Sequence, residues 1–323
     1  MIRKNINRIL NMNNRISELG FGRYLSQLFI TMKLNSSIRM SLLKLLKIIF
    51  NPKVYIYSKL YKKKYSSLSK AYVSPDKKSF EFASNQLKGI EALIKHCLII
   101  YNKKKEKIKN NYIPPTFKVI GSINHNGITR AQTKELKPIL KFASQPILMN
   151  LISNYVGQVP VIFSATLTYT KPMPKNYDPI NFQKFHVDML DKSLLHLVIP
   201  IKNISDKNGP FTYVDAPTSK KIMSNLNYQG GRIEDEYIHK YAKKSNIIKL
   251  CGSPGKAWLV SPYYCLHMGA RVERGSRLML IICYGSPNMA IEHSDRMHRK
   301  DIQEAFINQE TSLAEKHLLR IYN

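Results

Sequence analysis

Short apolar runs separated by turn residues fill residues 159–287, and they limit what this chain can fold into. Four of these runs are VIFSATLTYT, SLLHLVIPI, GKAWLV and RLMLIICYG, and Gly, Pro, Asn or Ser bounds each of them. Runs of this kind are typical of strands in a sandwich or barrel, whereas helices need longer stretches with a period of 3.6 residues. The sequence therefore predicts an all-β barrel or jelly-roll core here.

Helical periodicity appears on both sides of this core. Phe80 to Lys109 is predicted to form one helix, with apolar positions at Leu87, Ile90, Leu93, Ile94 and Cys97, and Thr133 to Tyr155 one or two more that brace the barrel. The tail, Asp301 to Tyr322, resumes helical spacing. Between strands, Ser219 to Ser245 is a charged insertion with Gly230-Gly231 as a candidate hinge, and we expect it to act as a substrate lid.

Positive charge is concentrated at the N-terminus. The chain has 51 Lys and Arg against 21 Asp and Glu, and the first 70 residues hold 15 of these basic residues with one acid, Glu18. We therefore divide the chain into a basic helical extension, residues 1–75, and a domain over residues 76–323. Within the extension, Met40 to Phe50 is a basic amphipathic segment and the YKKKY run follows at Tyr61 to Tyr65. Such a segment could bind an anionic membrane surface peripherally, or dock its apolar face on the rest of the chain.

The cysteines and the apolar runs indicate the cellular compartment in which this protein is expected. Cys97, Cys251, Cys265 and Cys283 are scattered without a CxxC pair, which fits a reducing cytosol. No apolar run reaches the ~18 residues that a membrane-spanning helix needs, and the N-terminus lacks a signal-peptide core. A cytoplasmic location is expected, with or without peripheral membrane contact.

His186-Val187-Asp188 is a candidate metal-binding segment. In an extended strand alternate side chains share a face, so both side chains could bind one ion. A second strand would supply His267 as the third ligand. Two imidazoles and one carboxylate leave one face of an octahedral ion open, which is the arrangement of non-heme Fe(II) oxygenases.

Arg277 is a candidate anion-binding residue. It opens an apolar strand, and a charge buried there is costly unless it is paired. The distal carboxylate of a dicarboxylate such as 2-oxoglutarate would suit the planar, two-pronged guanidinium. A salt bridge to a protein carboxylate, or a position at a strand edge facing water, would also explain this arginine.

Residues 159–287 together resemble the phytanoyl-CoA dioxygenase-like family of Fe(II)/2-oxoglutarate-dependent oxygenases. Four motifs carry the resemblance: FHVDMLD, NGPFTYV followed by APTSK, GKAWLV, and the spacing from His267 to Arg277. It implies a double-stranded β-helix (jelly-roll, cupin-like) core of two facing sheets. It also implies that His186, Asp188 and His267 bind Fe(II) and that Arg277 holds 2-oxoglutarate, with O2 as the second cosubstrate. The chain departs from the family at Ala216-Pro217-Thr218-Ser219, where relatives tend to have a Pro-Gly-Ser-His-like turn and this chain continues with Lys220-Lys221.

Several further residues have two interpretations each. Thr168, Tyr169 and Gln183 are candidate cosubstrate contacts or packing residues, and Asp191 either orients a ligand or is a solvated turn residue. Cys265 could add a metal ligand, although the three-residue set is complete without it. Glu292, His293, Asp295 and His298 could form a second metal site or belong to a solvated helix end.

Three function classes remain at this stage. The first is a dioxygenase that hydroxylates a small-molecule, lipid or sugar-containing substrate. An anionic group on that substrate would suit the positive net charge of the chain. Asp188 favours hydroxylation or desaturation, because halogenating relatives carry a small residue at this position. The second is an oxygenase of nucleic acids, but such enzymes usually carry a second arginine six residues after the first, where this chain has Cys283. The third is a binding protein on the same fold without turnover.

Overall fold

The computed structural model describes residues 78–286 apart from 85, 111–116, 121–132 and 190, together with six helical residues between positions 38 and 56. The predictions for residues 1–75, including Met40 to Phe50 and Tyr61 to Tyr65, otherwise lie outside the described residues. The helical tail Asp301 to Tyr322 and the four residues of the second candidate metal site also lie outside them. The division of the chain at residue 75 stays a prediction.

Two antiparallel sheets form the core. The large sheet has the strand order β1–β7–β4–β9–β3–β2 and the small sheet the order β6–β5–β8. The strands, numbered along the chain, are β1 (Ser79–Phe82), β2 (Phe117–Ile120), β3 (Val161–Thr170), β4 (Leu195–Pro200), β5 (Phe211–Val214), β6 (Ile247–Leu250), β7 (Ala257–Val260), β8 (His267–Met268) and β9 (Arg277–Gly285). A mainly β core with helical additions is confirmed.

Alternation along the central strands separates the two faces of the large sheet. In β9, Leu278, Leu280, Ile282 and Tyr284 belong to one buried cluster, while Met279 and Cys283 belong to others on the opposite face. Phe211, Tyr213 and Leu250 of the small sheet pack in the same cluster as Val198, Trp258 and Met279 of the large sheet. The two sheets therefore face each other, and the inner face of β9 lies between them.

Helices cover the outer face of the large sheet. They are α1 (Ile90–Asn110), α2 (Thr133–Ala143) and α3 (Pro146–Val156). The apolar stripe of α1 joins Leu278 and Leu280 in one core cluster, and the Tyr284 hydroxyl donates a hydrogen bond to the Ala143 carbonyl. Pro146 begins α3, and Gly157, with φ 79°, ends it in the left-handed conformation that glycine adopts without strain. Among the helices of the described ranges, none is both long enough and apolar enough to cross a bilayer.

The helix predicted from Phe80 is wrong over its first ten residues. Ser79–Phe82 forms strand β1 and pairs with Ala257–Val260 of β7, so the helix begins only at Ile90. The alternation of Phe80 and Phe82 suits a strand that closes the edge of a sheet, but this pairing partner lies more than 170 positions away in the sequence. The apolar positions predicted from Leu87 to Cys97 are nevertheless all buried.

The charged insertion contains two helices, α4 (Ala216–Asn225) and α5 (Asp235–Tyr241). The APTSK segment forms the first turns of α4, where the Asp215 carboxylate accepts a hydrogen bond from the Thr218 N–H as an N-cap. Gly230 and Gly231 join the two helices with φ angles of 114° and 100°. Glycine adopts such angles without strain, and the hinge and lid roles stay predictions.

Candidate metal centre

The three predicted metal ligands converge on one point between the sheets. His186 and His267 lie directly opposite each other, and their backbones exchange two hydrogen bonds of 3.0 and 2.8 Å. His186 lies in an isolated bridge rather than in the continuous strand that the sequence predicted. The Asp188 N–H donates to the Pro262 carbonyl at 2.9 Å, which directs the carboxylate toward the two imidazoles. The nearest Asp188 oxygens lie 3.7 Å from His186 Nε2 and 3.9 Å from His267 Nε2.

Backbone carbonyls select the ring nitrogens that face the centre. Nδ1 of His186 lies 2.9 Å from the Lys184 carbonyl, and Nδ1 of His267 lies 3.0 Å from the Cys265 carbonyl. A carbonyl only accepts hydrogen bonds, so each Nδ1 carries the proton and each Nε2 offers a lone pair. Metal-binding histidines are oriented in the same way by a partner on the other ring nitrogen.

Burial keeps both imidazoles neutral. It lowers the pKa of His267 to about 4, and it lowers the pKa of His186 further with help from the neighbouring His267. Phe211 stacks on the His267 ring at 5.3 Å and shields it from water. Neutral imidazoles beside a carboxylate fit a divalent metal, and the candidate ligand atoms of all three residues lie within 4.8 Å of one another.

Cys265 does not join this group. Its side chain is buried in an apolar cluster with Val198, Phe211 and Tyr213, and desolvation raises its pKa to about 12. A thiol of such high pKa stays protonated at neutral pH and is a poor metal ligand. The alternative of a cysteine ligand therefore loses its support.

Arg277 shares one cavity with the metal group. The cavity has a volume of about 330 Å³ and is lined by the three metal-group residues, by Arg277 and by Thr168. Arg277 is 4 % exposed, its Nη2 lies 3.0 Å from the Met279 sulfur, and its Nε has no hydrogen-bond partner. Burial lowers its pKa to about 10, so the guanidinium remains charged at neutral pH. No carboxylate of the described residues forms an ion pair with it, which leaves an anion site in the cavity wall.

The other candidate contacts are placed differently. Thr168 is half-buried in the cavity wall, and its hydroxyl donates to the Met279 carbonyl at 3.3 Å. Gln183 is buried outside the lining, where its amide donates to the Ala270 carbonyl and accepts from the Ile180 N–H. Tyr169 packs against Tyr101, outside the cavity. Gln183 therefore holds the segment before His186, whereas Thr168 is in reach of a ligand beside Arg277.

Asp191 lies in a turn and not in the metal group. Its carboxylate accepts hydrogen bonds of 2.9 Å from the Ser193 N–H and 2.7 Å from the Ser193 hydroxyl. The residue is fully buried, so it is not the solvated turn residue that one interpretation of the sequence assumed.

His196 is a site residue that the sequence interpretation missed. It lies on β4, is 7 % exposed and lines the cavity, with its Nε2 3.6 Å from Asp188 Oδ2. The signal that could have found it is a single histidine at an inward position of an otherwise apolar strand. In a sequence alone, that signal is indistinguishable from a histidine packed in the core.

The insertion flanks the metal segment. Ile233 N–H donates to the Phe185 carbonyl at 2.8 Å, next to His186. Two ion pairs join the insertion to the segments next to the metal ligands. Glu234 pairs with Lys184 at 2.9 Å, and Asp235 pairs with both terminal nitrogens of Arg271. The insertion therefore lies beside the metal group.

No protein-family model and no curated protein matches this chain in sequence. Solved structures similar to it include AviO1 from Streptomyces viridochromogenes Tue57, with 11 % identity, a TM-score of 0.38 and coverage of 61 % of this chain and 85 % of that one. EctD from S. alaskensis with 2-oxoglutarate and 5-hydroxyectoine has 13 % identity, a TM-score of 0.44 and coverage of 70 % and 76 %. HygX from Streptomyces hygroscopicus with nickel and 2-oxoglutarate has 10 % identity, a TM-score of 0.41 and coverage of 66 % and 84 %.

Proposed function

We propose that this protein is an Fe(II)- and 2-oxoglutarate-dependent dioxygenase that hydroxylates an unactivated C–H bond of a small-molecule substrate. The observation that carries the proposal is the buried guanidinium of Arg277, with an unbonded Nε, in the same cavity as the His186, Asp188 and His267 group. A metal group alone fits many reactions. The three metal-group residues share the cavity with the fixed cation of Arg277, and this combination suits a metal that works with an anionic cosubstrate.

The residues divide the work between them. His186, Asp188 and His267 would hold Fe(II) from one side, so that the other side faces the cavity. Arg277 would bind the distal carboxylate of 2-oxoglutarate, and the Thr168 hydroxyl, which donates to the Met279 carbonyl, lines the same cavity. Phe211 excludes water from the His267 side.

When bound, Fe(II) and 2-oxoglutarate would supply the oxidising chemistry. The overall reaction converts 2-oxoglutarate, O2 and a substrate C–H bond into succinate, CO2 and an alcohol. The chain itself contributes binding, orientation and exclusion of water. Asp188 favours a hydroxyl product, because its carboxylate occupies the position that a halide would need.

Anaerobic titration with Fe(II) and 2-oxoglutarate tests the proposal. We expect the weak visible charge-transfer absorption of the metal-bound 2-oxo acid to appear only when both are present, and to saturate at one equivalent of each. The same samples should show an unchanged far-ultraviolet circular dichroism spectrum. A folded protein that never develops this absorption would rule out the proposed activity.

We also propose that the substrate combines an apolar body with an anionic group. Phe182 at the cavity mouth and Met189 next to the metal segment are 39 % and 42 % exposed, which gives an apolar rim. Arg232 follows Gly230-Gly231 and is exposed, and its charge contributes to the lowered pKa of both His186 and His267. A cation beside an apolar rim suits a carboxylate- or phosphate-bearing molecule.

Arg232→Gln is expected to weaken binding of an anionic substrate by up to about fivefold, which corresponds to the ~1 kcal/mol that an exposed charge pair contributes at most. Medium-chain carboxylates and their uncharged amides can be titrated into the protein loaded with Ni(II) and 2-oxoglutarate. The variant should lose its preference for the acids and bind the amides unchanged. Lys220→Gln, an exposed charge on α4 of the same insertion, serves as the matched control. A preference for the acids that survives in Arg232→Gln would contradict the proposed recognition.

A further inference from the structure

His196 places a third imidazole beside Asp188. Its Nε2 lies 3.6 Å from Asp188 Oδ2, a separation comparable to those of His186 and His267 from the same carboxylate. Yet among the described residues, the group whose ligand atoms all lie within 4.8 Å of one another contains His186 and His267 but not His196. His196 therefore contacts the carboxylate from outside the ligand group.

The strand that carries His196 is held on both sides. His196 is paired with Val260 of β7 and with Cys283 of β9 in two antiparallel ladders. Asp188, in contrast, lies outside the named strands, is partly exposed, and is anchored through the Pro262 carbonyl. His196 is therefore held by two neighbouring strands, whereas Asp188 lies in a segment outside the two sheets.

A carboxylate that binds a metal through one oxygen needs a hydrogen-bond donor on the other. Such a partner fixes the rotamer and the basicity of the ligand. The Nε2–H tautomer of His196 points this donor at Asp188, and closing the 3.6 Å separation by about half an ångström gives an ordinary hydrogen bond. His186 and His267 cannot supply it, because their protons are on Nδ1 and their Nε2 atoms are acceptors.

We infer that His196 is a positioning residue, which orients the Asp188 carboxylate for metal binding without binding the metal itself. The inference rests on the metal site of the proposed function and adds a residue to it. It also accounts for a histidine in an otherwise apolar strand. In this role His196 would leave one more position on the metal for the cosubstrate and O2 than it would as a fourth ligand.

Binding of Co(II) to the full chain, measured by calorimetry and by visible absorption, tests this inference. His196→Leu should weaken Co(II) binding about 10- to 100-fold, the usual effect of removing a partner of a metal ligand. His196→Gln keeps an N–H donor at a similar reach and should restore affinity to within about threefold of the wild type. Thr166→Val, on the same cavity wall, should leave affinity unchanged. Both His196 variants should keep the band positions of the wild-type Co(II) spectrum once they are saturated.

The outcomes separate the alternatives. Wild-type affinity in His196→Leu, or failure of His196→Gln to restore it, would overturn the positioning role. A Co(II) spectrum that changes in His196→Gln would identify His196 as a ligand, which also overturns it. The melting temperature of the metal-free variants distinguishes loss of the hydrogen bond to Asp188 from a general packing defect. A packing defect would lower the melting temperature, and the glutamine variant would not restore it. A wild-type protein that binds no Co(II) would instead refute the proposed function.

Discussion

Asp188→Ala is expected to abolish succinate formation and to weaken Co(II) or Ni(II) binding by at least about 100-fold, beyond the 10- to 100-fold range expected for a residue that only supports a ligand. Asp188 supplies the one anionic group among three side chains that otherwise offer neutral imidazoles. Without it, two histidines remain on one side of the ion and nothing neutralises its charge. Calorimetric metal titration and succinate release from 2-oxoglutarate measure the two effects.

Asp178→Ala is the matched control for this variant. Asp178 is an aspartate whose carboxylate is largely exposed and lies 3.5 Å from Nζ of Lys184, two residues before His186. Its removal should change neither metal affinity nor turnover by more than about twofold, since exposed ion pairs contribute little. If Asp188→Ala binds metal as tightly as Asp178→Ala does, the three-residue metal group is wrong.

Local pattern was sufficient to predict the core of the fold. The short apolar runs of β4 and β9 and the turns around them depend on neighbouring residues, so Leu195–Pro200 and Arg277–Gly285 are strands as the sequence indicated. Strand β1 was missed because its pairing with β7 is supplied by a distant part of the chain. Without that partner, Phe80 and Phe82 are equally compatible with the start of the following helix.

The residues of the site also differ in how far the sequence could predict them. His186 and Asp188 could be paired from their spacing in one short segment, whereas His267 was predicted largely through the family resemblance, which the spacing from His267 to Arg277 helps to carry. His196 could not be predicted, since its contact with Asp188 exists only when residues 185–188 cross the inner face of the large sheet. Gln183 shows the opposite case: its position close to the triplet suggested a ligand contact, but its amide is bonded to the Ile180 and Ala270 backbones.

Arg277→Met is expected to have effects of opposite sign on cosubstrate binding and on stability. A charge-assisted hydrogen bond contributes about 1.5 to 3 kcal/mol, so loss of the guanidinium should weaken 2-oxoglutarate binding about 10- to 100-fold. In the cosubstrate-free protein, however, burial lowers the pKa of Arg277 from 12.5 to about 10, which corresponds to a desolvation cost of about 3 kcal/mol. Methionine fills a similar volume without that cost, so the free protein should melt a few degrees higher.

The charge-transfer titration gives the cosubstrate affinity, and thermal unfolding without metal or cosubstrate gives the stability. Arg277→Lys should recover part of the affinity, because a lysine keeps the charge but loses the two-pronged geometry. Arg274→Met, an exposed arginine in the turn before β9, should change neither quantity. A melting temperature that falls in Arg277→Met while 2-oxoglutarate affinity is retained would mean that Arg277 stabilises the folded chain through a protein partner. The anion site in the cavity wall would then be lost from the proposed mechanism. If Arg277 instead serves to bind the carboxylate of 2-oxoglutarate, Arg277→Met should raise the melting temperature and weaken 2-oxoglutarate binding together. Only the bound ligand then compensates the buried charge of the guanidinium.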